Sequence, residues 1–172
     1  INAKKGYIGL INKNNIIETF QKVKDTKYID FDIEKAIHYS TIGVCHITKD
    51  IKVNDLDSTK FSFIKQVKMY CSRYTVINYD YNGIDIHPIP KTRKDKLTIY
   101  PKFNELLLEE NRKYRNIIGE EFLYKNQNLL RFELQLNDYR QIRRFFKILK
   151  KGKIMLKDLL NSSANPLMSA ML

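Results

Sequence analysis

Tyr100, Lys102 and Glu105 lie close together in the stretch KLTIYPKFNEL, which begins at Lys96, and these residue types can carry out phosphoryl chemistry. A phenol has a pKa of about 10 and attacks phosphorus poorly unless a nearby cation stabilises the phenolate, which a lysine or a bound metal can do. Lys102, two residues beyond Tyr100, shares its side if the chain stays extended. A tyrosine near a strand end is more commonly a half-buried packing residue, so the stretch admits both readings. His46 in GVCHITKDIKV and Glu133 in LLRFELQL are the side chains best suited to a divalent metal. A mid-strand histidine also serves as a hydrogen-bonded core residue.

These groups are useful only if strands bring them together. Read as a strand, residues 96–100 place Leu97 and Ile99 on one face and Lys96, Thr98 and Tyr100 on the other. Pro101 removes a ladder donor, so this strand is expected to end there or to lie at a sheet edge. Val44, His46 and Thr48 share one face of an earlier strand, with Cys45 and Ile47 opposite. Residues 129–136 form the clearest strand: Arg131, Glu133 and Gln135 face one way, and Leu130, Phe132, Leu134 and Leu136 the other. Around them the sequence predicts a strand over 3–11, containing Gly6 and Gly9, and an asparagine turn at 12–15. A helix over 33–39 is capped by Asp30 or Asp32, and another is capped by Ser58 and packed through Phe61, Ile64, Val67 and Cys71. A hairpin is expected about Asn82-Gly83, then a helix from Pro101 to about Asn116 with a break at Gly119. Asn137 or Asp138 starts a helix that Gly152 ends, with a packing stripe of Ile142, Phe145, Phe146 and Leu149. A short helix is expected around 156–160. The expectation is an α+β domain over 1–160, with a central, largely antiparallel sheet and helices packed on one face, followed by a frayed tail over 161–172.

The 172 residues include 31 Lys and Arg against 19 Asp and Glu, a net charge of +12 that favours a polyanionic partner such as nucleic acid. Enrichment in Lys, Asn and Ile also arises from low-GC genomes. Two basic groups are candidates for phosphate contact: Lys91, Arg93, Lys94 and Lys96 in KTRKDK, and Arg140, Arg144, Lys147 and Lys151 after the last strand. Each can equally be a solvated charged surface. Asp85 and His87 fall on one strand face, where they can join a metal site or simply form a solvated strand end. Cys45 and Cys71 lack zinc-finger or CxxC spacing, which argues against structural zinc and a disulfide framework and for a reducing interior. No run of about 18 apolar residues occurs, and no signal peptide is recognised. A soluble, intracellular protein without a membrane partner is expected. The chain opens on Ile1 in what reads as mid-domain sequence, so a fragment is expected.

GVCHITKDI, KLTIYPKFNEL and LLRFELQL, in that order, resemble the motifs of the replication initiator endonucleases of filamentous phages. That family is akin to the rolling-circle plasmid initiators and the HUH endonucleases. It has a strand of the form RIDxT, a strand ending in a nucleophilic Tyr followed by x-Lys-x-x-Glu, and RFE on a later strand. The matching residues here are the CHIT of Cys45 to Thr48, then Tyr100 with Lys102 and Glu105, then Arg131-Phe132-Glu133. The asparagine turn at 12–15 resembles the family's Gly/Asn-rich turn, and the resemblance covers most of residues 3–150.

Two departures stand out. His46 occupies the position where the family carries Asp, and no His-hydrophobic-His pair occurs, so a metal would need a variant set: His46 and Glu133, with Gln135 or His87. Against that family the chain reads as shorter at both ends, so a fragment whose origin recognition and strand closure are in doubt is expected.

The resemblance implies an initiator-like fold and a nickase that starts rolling-circle DNA replication in a bacterial host cytoplasm. Tyr100 would attack a scissile phosphate and retain the 5′ end, while the released 3′-OH primes synthesis. His46 and Glu133 would hold Mg²⁺ or Mn²⁺, and Lys102 would neutralise developing charge. Arg93, Lys94, Lys96, Arg131, Arg140, Arg144 and Lys147 would contact single-stranded or origin DNA, and a host helicase and polymerase are implied partners. Two other readings stand beside this one: a non-catalytic DNA-binding or replication-control fragment, and an RNA-binding α+β domain, which the lack of an RNP-type aromatic pattern disfavours.

Overall fold

Leu130, Phe132, Leu134 and Leu136 alternate along LLRFELQL, and burying that row places its strand in the middle of a sheet. The computed structural model describes residues 11–59, 62, 65, 74–79, 83–88 and 95–171. In chain order the elements are α1 (Ile16–Asp25), α2 (Ile33–Tyr39), β1 (Cys45–Lys52), β2 (Tyr74–Tyr79), β3 (Gly83–Pro88), β4 (Asp95–Pro101), α3 (Lys102–Leu107), a 3-10 turn (Glu109–Asn111), α4 (Arg112–Ile118), α5 (Glu120–Lys125), β5 (Leu129–Leu136), α6 (Tyr139–Phe145), α7 (Leu156–Asn161) and α8 (Pro166–Met171). The strands form a five-stranded sheet in the order β1-β5-β4-β3-β2, with every neighbouring pair antiparallel.

One face of that sheet is apolar. Ile84, Ile86, Leu97 and Ile99 join the β5 row, and Ile142 and Phe145 of α6, Leu159 of α7 and Leu167 of α8 pack onto them. The fold is α+β with helices on one face of an antiparallel sheet, as the alternation predicts. Helices α3 to α5 pack among themselves around Leu106, Ile118 and Leu123. Gly119 joins α4 to α5 at φ 84 and ψ 149, a conformation open essentially to glycine alone. Among the described residues, no helix is long and apolar enough to cross a membrane.

Several local expectations change. β4 does end at Pro101, but it is the middle strand of the sheet, not an edge. Asp32 caps α2 by accepting the Lys35 N–H at 2.9 Å. Asp55, in place of Ser58, starts the following helical turn by accepting the Ser58 N–H at 3.0 Å. The asparagines do form a turn, with Asn15 Oδ1 accepting the Asn12 N–H at 2.7 Å, but the chain then runs directly into α1. The expected helix after Pro101 is broken after Leu107 by the 3-10 turn.

Helix α6 stops well before Gly152. Lys147 adopts φ 53, and the Ile148 N–H bonds to the Arg143 carbonyl at 2.9 Å, which closes the helix and turns Ile148 toward the core. Leu149, expected to pack, is 95% exposed. Within the tail expected to fray, residues 161–171 pack back onto the fold: Ser162 Oγ donates to the Phe146 carbonyl at 2.7 Å, and Leu167 is buried against the sheet. The strand expected over 3–11, the packing residues Phe61, Ile64, Val67 and Cys71, and the loop carrying Lys91, Arg93 and Lys94 fall outside the described residues, apart from Ile11.

Truncating a buried leucine removes its transfer energy and leaves a cavity, so Leu167→Ala should lower unfolding free energy by about 2–5 kcal/mol. Urea denaturation reads this directly; an unchanged midpoint would mean that α8 contributes nothing to the core.

Candidate active site

The polar face of the sheet is built by the same two-residue period that builds the core. Thr48 of β1, Glu133 of β5, Thr98 of β4 and Asp85 of β3 stand opposite one another in one row. One row over, Asp50, Arg131 and Tyr100 align; on the other side, His46, Gln135 and Lys96 align. Nine side chains from three adjacent strands therefore project to one face of the sheet, counting Thr48, Glu133 and Thr98 with those two rows of three.

Glu133 links the candidates. Its Oε2 accepts the Tyr100 hydroxyl at 3.3 Å, while its Oε1 lies 3.4 Å from His46 Nδ1 and accepts Gln135 Nε2 at 2.9 Å. The His46 side chain is 46% exposed, so the site is open to solvent on that side. Tyr100, His46 and Glu133, expected to share a face, meet there. Burial pushes the Tyr100 phenol well above its ordinary pKa, the Glu133 charge pushes it further, and Arg131, which hydrogen-bonds the phenol, pulls the other way.

Arg131 differs most from expectation. It was assigned to the DNA-contacting surface, yet it is 7% exposed and its guanidinium grips Asp50 with two hydrogen bonds of 2.6 and 2.7 Å. It is the cation at the phenol oxygen, the position expected for Lys102. Pro101 ends β4, so Lys102 opens α3 instead of continuing the strand. Its ammonium pairs with Glu105 at 2.7 Å, one helical turn on, and sits 5.6 Å from the centre of the Tyr100 ring. Burial lowers the Lys102 pKa against the opposing pull of Glu105.

The basic residues divide between layers. Lys96 stays on the polar face, held by Asp85 at 3.2 Å, and Asp85 also accepts Thr98 Oγ1 at 2.7 Å and lies 3.7 Å from His87 Nε2. Arg140 and Arg144 belong to α6, which packs on the opposite face of the sheet, and Lys147 follows that helix. There Arg140 hydrogen-bonds Asp138, and Arg144 meets the buried Asp95 at 3.2 Å. Those three residues therefore cannot line the same surface as Tyr100. Arg93 and Lys94 lie outside the described residues.

The donor set fits a hard or borderline divalent ion in part. Two donors 3.4 Å apart can both reach an ion at about 2.1 Å, subtending roughly 110°. Among the described residues, no group of three or more His, Cys, Asp and Glu side chains is placed to hold a metal, so water or substrate oxygens would complete the shell, as Mg²⁺ accepts readily. Cys45 is no competing nucleophile: burial pushes its thiol up to about 11.

Asp50 was not singled out by sequence, although its parity with His46 and Thr48 places it on the correct face. Removing it leaves a guanidinium buried without its counterion, and Asp50→Ala should cost about 3–5 kcal/mol in urea denaturation; a loss below about 1 kcal/mol would mean that the pair is solvated. Tyr100 makes a second prediction. Its folded pKa is raised, so its stabilising contribution is intact below about pH 10 and is lost as pH rises from there through the folded value. Between pH 8 and 11, wild-type protein should lose more stability than Tyr100→Phe. Parallel curves for the two would contradict the burial of the phenol.

Comparison with family models, curated proteins and solved structures returned no match.

Proposed function

We propose that this chain is a metal-dependent, site-specific single-strand DNA endonuclease that initiates rolling-circle replication by tyrosine transesterification. The observation that carries this reading is the placement of both Glu133 oxygens, one at the Tyr100 hydroxyl and the other at His46, on a solvent-open sheet face. Tyr100 Oη forms a bond to the scissile phosphorus as the bond to the 3′ oxygen breaks, and the phosphodiester is conserved as a 5′-phosphotyrosine. Glu133 Oε2 accepts the phenol's hydrogen bond and is positioned to take its proton, while the departing 3′ oxygen acquires one to become the priming hydroxyl. Arg131 offsets charge on the phenolate, and Asp50 fixes the guanidinium for that role. His46 and Glu133 would hold the ion, which when bound supplies Lewis-acid polarisation of the phosphate.

One observation favours the alternative, a non-catalytic DNA-binding or replication-control fragment. Without an additional cation, burial and Glu133 keep the phenol protonated and a weak nucleophile.

Labelled single-stranded DNA libraries incubated with Mg²⁺ or Mn²⁺ separate the two readings. Wild-type protein should form a covalent adduct that chelation abolishes, with the nucleotide mapped to Tyr100. Tyr100→Phe should bind DNA normally without forming the adduct, whereas Tyr114→Phe should form it. An adduct at another residue, or undiminished activity after replacing both His46 and Glu133 by Ala, would remove this mechanism; absence of any adduct would favour the binding-only reading.

A further inference from the structure

A cavity of 510 Å³ opens between residues 41–43, which lead into β1, and the start of α6. Its volume is in the range of small-molecule sites, about 300–1,000 Å³. Ile154, 2% exposed, and Ile42 form an apolar base continuous with the core, while Tyr139, Arg143 and Lys153 form the walls. Tyr139 is 50% exposed, and the Arg143 guanidinium lies 5.5 Å from its ring centre. Arg143 is held there by donating Nη2 to the Gly152 carbonyl at 2.6 Å. Gly43 and Gly152 have no atom within 4 Å of where a Cβ would stand, so a ligand can approach the backbone closely at both.

We propose that this cavity is a nucleobase subsite for single-stranded DNA, resting on the reading of the chain as a single-strand nickase. A flat aromatic surface beside a guanidinium plane is what an unstacked base packs on, and Lys153 supplies charge for a flanking phosphate. A purely apolar ligand would leave both cations unused, and a lone phosphate would leave the apolar base of the cavity wet. Location gives a second reason. Cys45 pairs with Leu136 and His46 with Gln135, so the chain before β1 and the chain after β5 meet at the His46 end of the sheet. Gly43 precedes His46 by three residues, a distance of about 10 Å in extended chain. A strand whose phosphate lies at His46 and Glu133 on the polar face can therefore pass round this end of the sheet and place a base in the cavity.

The test is photocrosslinking of a 5-iodouracil-substituted oligothymidylate without metal, with peptide mapping, alongside anisotropy measurements of affinity. The crosslink should map to Tyr139, and Tyr139→Leu should weaken binding roughly tenfold through loss of one stacking contact. Lys153→Ala should weaken it in a salt-dependent manner. Tyr124→Leu, at a tyrosine that is 62% exposed elsewhere, should leave affinity unchanged. Wild-type affinity in Tyr139→Leu, crosslinks confined to other regions, or no binding at all would overturn the subsite. The Tyr100 adduct is assayed separately with metal, so an adduct without a Tyr139 crosslink removes the subsite and spares the nickase, and the reverse result does the opposite.

Discussion

Arg131 places a permanent charge at the buried centre of the sheet, and the geometry around Tyr100 depends on how that charge is held. At 7% exposure a guanidinium needs a partner in close geometry, because its desolvation costs several kcal/mol. Asp50 provides it across the β1–β5 ladder, and the same guanidinium reaches the phenol on β4. One side chain therefore ties three strands together in a fixed register. A one-residue slip of β1 would set Lys49 or Ile51 opposite Arg131 and leave the charge without a counterion. Such a pair adds little net stability over a well-packed apolar pair, but it penalises the wrong alignment heavily.

What could be read from sequence follows from range. The faces of β1, β4 and β5 were legible because a period of two is local, and the cap on α2 because Asp32 acts over three residues. The Asp50–Arg131 pair spans 81 positions, and nothing local announces it. Its recognition needs the strand order β1-β5-β4, which alternation alone does not supply. Of the basic stripe expected on the helix after β5, Arg140 and Arg144 lie on α6, while Lys147 and Lys151 fall beyond its end. A helix that buries Ile142 and Phe145 must lie on the apolar face, so its charges are separated from the polar face by the sheet. The α8 tail was misread because its composition is largely small and polar; it is anchored to the core by Leu167 and Ala170.

The layers also differ in electrical character. The polar face carries Asp50, Asp85 and Glu133 interleaved with Arg131, Lys96 and His46, a near-balanced arrangement in which each carboxylate has a named partner. The net positive charge of the chain is therefore expressed elsewhere, in part through Arg140, Lys147 and Lys151. A polyanion attracted at long range by the whole molecule would meet a nearly neutral surface at the sheet, where local hydrogen bonds, not bulk attraction, decide its alignment.

Tyr100 and Glu133 sit on β4 and β5, each of which has a strand on both sides. Amides in such positions exchange with solvent mainly when the whole sheet opens, whereas loop residues open in local fluctuations. The backbone that carries phenol and carboxylate therefore persists on the timescale of global unfolding. Under the proposed nickase reading, a nucleic-acid strand approaching this face would bend and unstack to fit strands that are paired on both sides.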